Sequence, residues 1–359
     1  MHATIENKVT FSFALKKLII HIGLPKTGTT SLRSFYHSNR SYLNDKNIFL
    51  PFLGEKQWNK RIQNIFRKNN EKRFFSDPVI DFIGSRPLST QEKASIKRDG
   101  FNKLVSFAEQ LPQESTMILS SEFLSAKSTA VFKLKNYAEQ YFDSVCIIAY
   151  LREQGSWALS SSSTRALNGS SYSILKPGDR KTMDYKFLLS KWFSIFDSAH
   201  WVVRRYDRKF LKDQDIISDF IHSLDLPLDI QKIERQTDAR LTESATAIKY
   251  LFCMNYLIEN GDIQFDDNID RRKDYVKKIC ESHRDGSKLA LSSECASLFR
   301  QHYAKSNQWA FRKFFKDDKL ELFPPYRAPD PDTVKVLYEY DLLVDPETIK
   351  IVLDFLRSN

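Results

Sequence analysis

The sequence predicts an α/β chain: a parallel, doubly wound sheet flanked by helices, with a helical part toward the C-terminus. Three observations carry that expectation. Short apolar runs recur at about residues 16–22, 47–52, 116–120, 144–151 and 200–206, and the stretches between them repeat their apolar residues at helical spacing. Two runs, Lys17-Leu-Ile-Ile-His-Ile22 and Val145-Cys-Ile-Ile-Ala-Tyr-Leu151, are apolar almost without alternation, as strands covered on both faces are. The residues able to carry chemistry stand just after the runs, where sheets of alternating strand and helix collect their ligands.

The first run leads into Gly23-Leu-Pro-Lys-Thr-Gly-Thr-Thr-Ser31. Gly23 and Gly28 have the spacing of a G-x-x-x-x-G-K-[ST] loop, but Thr29 follows the second glycine and the lysine, Lys26, precedes it. The backbone cradle is kept while the nucleoside-triphosphate arrangement is lost. The N–H groups of residues 26–31, opening onto a helix with Leu32, Phe35 and Tyr36 on one face, make an anion nest. Lys26 adds a point charge that can meet an oxygen bridging two acidic groups. The stretch His-Ile-Gly-Leu-Pro-Lys-Thr-Gly-Thr-Thr-Ser-Leu closely resembles the 5′-phosphosulfate loop of sulfotransferases that use 3′-phosphoadenosine 5′-phosphosulfate (PAPS). That resemblance implies a P-loop-containing fold and PAPS as donor. It also implies that Lys26, Thr27, Gly28, Thr29, Thr30 and Ser31 hold the phosphosulfate.

The later elements follow in order. The run at 116–120 emerges at Glu122, in the interval where family members place a His or Glu base, so the resemblance makes Glu122 the candidate base; a simple helix cap is the alternative. His21 and His37 are weaker candidates, the first because it alternates toward the core. The run at 144–151 ends in Arg152, with Ser160 eight residues on, about two turns into the next helix. In the resembled family that pair forms the 3′-phosphate site, a task suited to the planar guanidinium fork. The run at 200–206 ends in Tyr206, at the family position near the adenine or its 3′-phosphate; an aromatic covering the core edge is the other reading. Two departures stand out: Ser31 occupies the place where cytosolic members often carry Trp, and the late Arg-Lys-Gly loop has only Arg312-Lys313 as a loose substitute.

Composition sets the bounds. With 359 residues, 42% of them hydrophobic, the chain can bury one large core, and an aromatic share of 13% argues against disorder. The net charge of +10 favours anionic ligands, yet no helix-turn-helix, RNP or zinc-finger pattern accompanies it, which leaves nucleic acid unsupported as a partner. Cys146, Cys253, Cys280 and Cys295 show neither C-x-x-C spacing nor a metal pattern. Met1 to Ala14 hold no signal-like apolar core and no 18-residue apolar run occurs, so the expectation is a cytoplasmic protein without a membrane span.

The organisation expected is a tail at 1–15, a sulfotransferase domain at 16–325 with its helical part at about 235–320, and a linker and short helix at 326–359. In the helical part, Leu241, Ala245, Ile248, Phe252 and Asn255 share a face. The basic stretch Lys56 to Arg73, with Trp58, Ile62, Ile65 and Phe66 at helical spacing, reads as a solvated helix face or the wall of an acceptor groove. The reading is an enzyme moving sulfonate from PAPS to an acceptor hydroxyl, with a carbohydrate acceptor implied by the likeness to bacterial members. Its rivals are an inactive nucleotide- or glycan-binding protein and a P-loop kinase, the latter without its Walker lysine.

Overall fold

The computed structural model describes residues 15–51, 90–125, 129–169, 176–235, 243–262, 269–284, 289–315, 321–324, 335–336 and 346–358. Residues 1–14 of the expected tail, the basic stretch at 56–73, Leu241 and most of the linker after Phe323 lie outside the described residues.

Five strands form one parallel sheet: β1 (Lys17–Ile22), β2 (Ile48–Phe49), β3 (Thr116–Ser121), β4 (Ser144–Leu151) and β5 (His200–Arg205), in the order β2-β3-β1-β4-β5. The apolar run of β1 becomes its central strand because both faces are covered. Leu18, Ile19, Ile20 and Ile22 are fully buried, each contributing about 1.5–3 kcal/mol. At the sheet's edge β5 buries only Val203, with His200 exposed and the other residues half-buried, as its more polar sequence requires. β2 is shorter than the expected 47–52 run. It pairs only with Thr116 and Met117 of β3, Asn47 before it turns through φ 55°, and Pro51 after it has no N–H to extend a ladder.

Register aligns the strand ends. Ile22 pairs with Ser121 on one side and Ala149 on the other, and Leu151 pairs with Arg205. The residues that follow, Gly23, Glu122, Arg152 and Tyr206, therefore leave the same edge of the sheet, and Tyr206 N–H still donates to Leu151 C=O at 2.7 Å.

Helices flank this sheet. Those before β4 are α1 (Thr29–Ser38), α2 (Arg40–Asp45), α3 (Thr90–Gln110) and α4 (Thr129–Tyr141); after it come α5 (Gln154–Leu167), α6 (Tyr185–Ile195) and α7 (Ile216–Ser223). α1 buries Leu32, Phe35 and Tyr36, the face its spacing predicted. The C-terminal helices are α8 (Ala245–Glu259), α9 (Ile269–Ser282), α10 (Ser293–Phe314) and α11 (Pro346–Ser358), with β6 (Ala290–Leu291) pairing in parallel to β7 (Lys335–Val336). Ala245, Ile248, Phe252 and Asn255 of α8 are all buried; Ile248 and Phe252 pack with α5, α9 and α11 in a second apolar core, and the Asn255 amide donates to Ala166 O at 2.8 Å.

Candidate functional site

The turn after β1 is held by close packing and by its own carbonyls. Gly23 donates to Ser121 C=O at 3.1 Å, and a Cβ there would lie 3.0 Å from Glu122 N. Lys26 (φ 65°) and Gly28 (φ 79°) adopt left-handed backbone two residues apart, which aims successive N–H groups toward a common concavity. At Gly28 a Cβ would also lie 2.9 Å from Ile216 Cγ1 and 3.0 Å from Tyr206 Cε2. Three consecutive carbonyls are bound by the protein: Leu24 O accepts from Thr27 Oγ1 (2.6 Å), Pro25 O from Trp157 Nε1 (2.7 Å) and Lys26 O from Arg152 Nη1 (2.9 Å). α1 begins directly after with no side-chain cap, so the amides of Thr29, Thr30 and Ser31 have no acceptor within their helix. A positive helix end bounded by pinned carbonyls suits an anion.

Lys26 Nζ donates to Thr164 Oγ1 at 2.7 Å, and Thr164 Oγ1 in turn donates to Ser160 O at 3.1 Å. Arg152 is half-buried, with its guanidinium 5.7 Å from the Tyr206 ring, and burial pulls its pKa down while the surrounding tyrosines and acids oppose that shift. Its Nη2 and Nε have no acceptor among the described residues, and neither has the Ser160 hydroxyl. The Tyr185 hydroxyl brackets the Arg152 backbone, accepting from its N–H at 3.1 Å and donating to its carbonyl. Burial also raises the pKa of Tyr206, so it faces the turn as a neutral phenol.

α5, which follows Arg152, is closed at its start. Glu153 accepts from Gly155 N (2.9 Å) and Ser156 N (2.6 Å) through its two carboxylate oxygens. Beneath the β1 turn, His21 is fully buried, its Nδ1 2.8 Å from Ser120 Oγ, and burial lowers its pKa to about 4. It is a neutral core residue, as its place in the strand predicted. His37 stands exposed on α1.

These strand ends open into a groove of about 1920 Å³. Single small-ligand pockets run to about 300–1000 Å³, so this one has room for two partners. Lys26, Gly28, Thr30, Ser31, Arg152, Ser160 and Tyr206 all line it. Thr27, Thr29 and Glu122 do not. The Thr27 side chain is fully buried and its hydroxyl is used on Leu24 O. Thr29 donates its hydroxyl to Glu122 Oε1, which ties the carboxylate to the start of α1. Of the loose substitute pair, Arg312 lines the groove, whereas Lys313 turns away to place Nζ 3.9 Å above the Phe193 ring.

Sequence reasoning missed Trp157, Thr164 and Tyr185, which hold the turn, the lysine and the arginine. Trp157, Ser160 and Thr164 follow i, i+3, i+7 spacing, a signal that this face of α5 meets the β1 turn. Among the described residues no helix is long and apolar enough to cross a membrane, and no three or more His, Cys, Asp or Glu side chains gather as a metal site needs.

No family model matches the chain. It is similar to an uncharacterized protein of Archaeoglobus fulgidus, 27% identical over 212 residues, which cover 55% of this chain and 54% of that protein. The match thus spans about half the length of each, and its partner has no assigned activity.

Proposed function

We propose that the chain is a cytoplasmic sulfotransferase of the P-loop, doubly wound kind that moves the sulfonate of PAPS to a carbohydrate hydroxyl. The observation that carries this reading is the turn after β1. Its carbonyls are pinned, its helix amides lack a cap, its lysine stands before the second glycine, and an arginine with unused donors leaves the neighbouring strand. Two anion-holding groups at adjacent strand ends fit a donor with phosphate at both its 5′ and 3′ positions.

When bound, PAPS supplies a sulfonate joined through oxygen to its 5′-phosphate. The α1 amides hold that phosphate, Arg152 and Ser160 take the 3′-phosphate, and Tyr206 packs beside them. An ammonium has three donors, so Lys26 can keep Thr164 and still donate to the bridging oxygen. Glu122, tied by Thr29 to the start of α1 and set back from the groove lining, takes the acceptor's proton through an intervening water. As the acceptor oxygen bonds to sulfur, the bond from sulfur to the bridging oxygen breaks. The electron pair leaves on that oxygen, where Lys26 stabilises it more than in the ground state. The products are the sulfated acceptor and adenosine 3′,5′-bisphosphate.

Incubation with radiolabelled PAPS and a panel of glycans tests the reading directly. Label is expected in a glycan, with adenosine 3′,5′-bisphosphate released in equal amount. Tight binding of the bisphosphate with no label transferred to any hydroxyl would assign a binding protein instead.

A further inference from the structure

The groove has a second cationic wall that the donor reading does not use. On α10, Lys305, Gln308 and Arg312 stand at i, i+3 and i+7, so they share one helix face, and all three are exposed and line the groove. From Lys305 to Arg312 the stripe rises about 10 Å, close to the length of a disaccharide. None of the three has a hydrogen-bond or ion-pair partner among the described residues.

The other charges of the groove are mixed: Arg208 and Lys209 line it beside Asp207, Glu234 and Glu243, while three further acids are already engaged. Glu153 caps α5, Asp215 pairs with Arg235 at 3.0 Å, and Glu321 pairs with Arg300 at 2.8 Å. Lys305 and Arg312 thus put positive charge with no ion-pair partner among the described residues on one face of α10, on the wall of a cavity too large for one nucleotide. The stripe bears no exposed aromatic ring: Phe311 is buried, so stacking on bases is not offered there. Between its two cations the Gln308 amide presents both donor and acceptor, the complement of sugar hydroxyls flanked by carboxylates or sulfates.

We infer that this face of α10 binds the acceptor, and that the acceptor is an anionic oligosaccharide bearing carboxylate or sulfate groups on neighbouring sugars. The inference rests on the reading of the groove as a joint donor and acceptor site. Long cationic side chains on one wall select charge, and the amide between them sets register.

Binding measured without any donor separates the two claims. The full chain is titrated calorimetrically with an oligogalacturonate, with a malto-oligosaccharide of equal length, with a single-stranded oligonucleotide of matched charge and with adenosine 3′,5′-bisphosphate. The same set is repeated on the Lys305→Glu, Arg312→Glu double variant. The uronate chain is expected to bind at least about tenfold more tightly than the neutral chain and than the oligonucleotide, and the double variant to lose about tenfold for the uronate alone. Affinity for the bisphosphate should stay within about twofold. Equal binding of the neutral chain, tighter binding of the oligonucleotide, or a parallel loss for the bisphosphate would overturn the inference. Failure of the parent chain to bind the bisphosphate, with the uronate pattern intact, would overturn the donor reading and leave the α10 site standing.

Discussion

Two helices start at the groove from neighbouring strands, and they treat their first amides in opposite ways. α1 follows β1 through Gly28 with no side-chain cap, whereas α5 follows β4 with both oxygens of Glu153 on its N-terminal amides. The macrodipoles are alike, but only the first can be offered to a ligand, because a carboxylate already neutralises the second. At α5 any anion must be held by side chains, and Arg152 and the Ser160 hydroxyl are what that helix brings. A shared βα topology thus produces a backbone site at one strand end and a side-chain site at the next.

The largest effect is expected at the backbone site. Lys26→Ala should lower turnover from PAPS about 10²- to 10³-fold, the scale for removing one donor to developing charge, while the fold and bisphosphate binding persist. Turnover within a few-fold of the parent at saturating donor would show that the β1 turn is not where the charge develops.

Next comes the residue beneath that turn. His21 has its pKa lowered to about 4 by burial, against an ordinary value near 6.5. The unfolded chain therefore binds the proton first as pH falls, and stability present above about pH 6.5 is lost progressively toward pH 4, by about 3 kcal/mol in all. Urea midpoints of the parent and of His21→Asn across this window measure it. A variant curve as steep as the parent's would place the lost stability on other groups.

The side-chain site should give a smaller and more selective change. In Arg152→Ala, loss of charge-assisted hydrogen bonds of about 1.5–3 kcal/mol should weaken adenosine 3′,5′-bisphosphate. Adenosine 5′-phosphosulfate, which lacks the 3′-phosphate, should be nearly unaffected. Calorimetry showing equal losses for both ligands would mean that Arg152 acts only by bracing the Lys26 carbonyl.

Smallest is the test that would erase the contrast. Glu153→Ala removes the α5 cap at a cost of about 0.5–2 kcal/mol in unfolding free energy, and the uncovered amides should gain affinity for inorganic sulfate. A stability loss without any change in sulfate titration would show that the α5 end is closed by more than its glutamate.

How far the sequence reached differs between strands and contacts. The strands were legible because apolar runs and their flanks are local: the central run of β1 and the ends of β3, β4 and β5 fall within a residue of expectation. The β2 run was over-read, since nothing in Ile48 to Leu50 says that only two residues find a partner. Glu122 was located at its strand end, but its engagement by Thr29, 93 residues earlier in the chain, could not be read. The same holds for Trp157 on Pro25 and Thr164 on Lys26, which join segments more than a hundred residues apart.

By itself the sequence determined what depends on neighbours along the chain. It set strand and helix by period, the left-handed turn by Gly28, and the lysine's place before the second glycine. Tertiary structure alone decided which groups are available for chemistry. It turned Thr27 inward, closed α5 with Glu153, left donors of Arg152 unmatched and set the Lys305 to Arg312 face of α10 into the groove. The physical reason is that a hydrogen-bonding group or charge is open or committed according to what lies within about 3 Å of it, and folding brings those partners from distant parts of the chain.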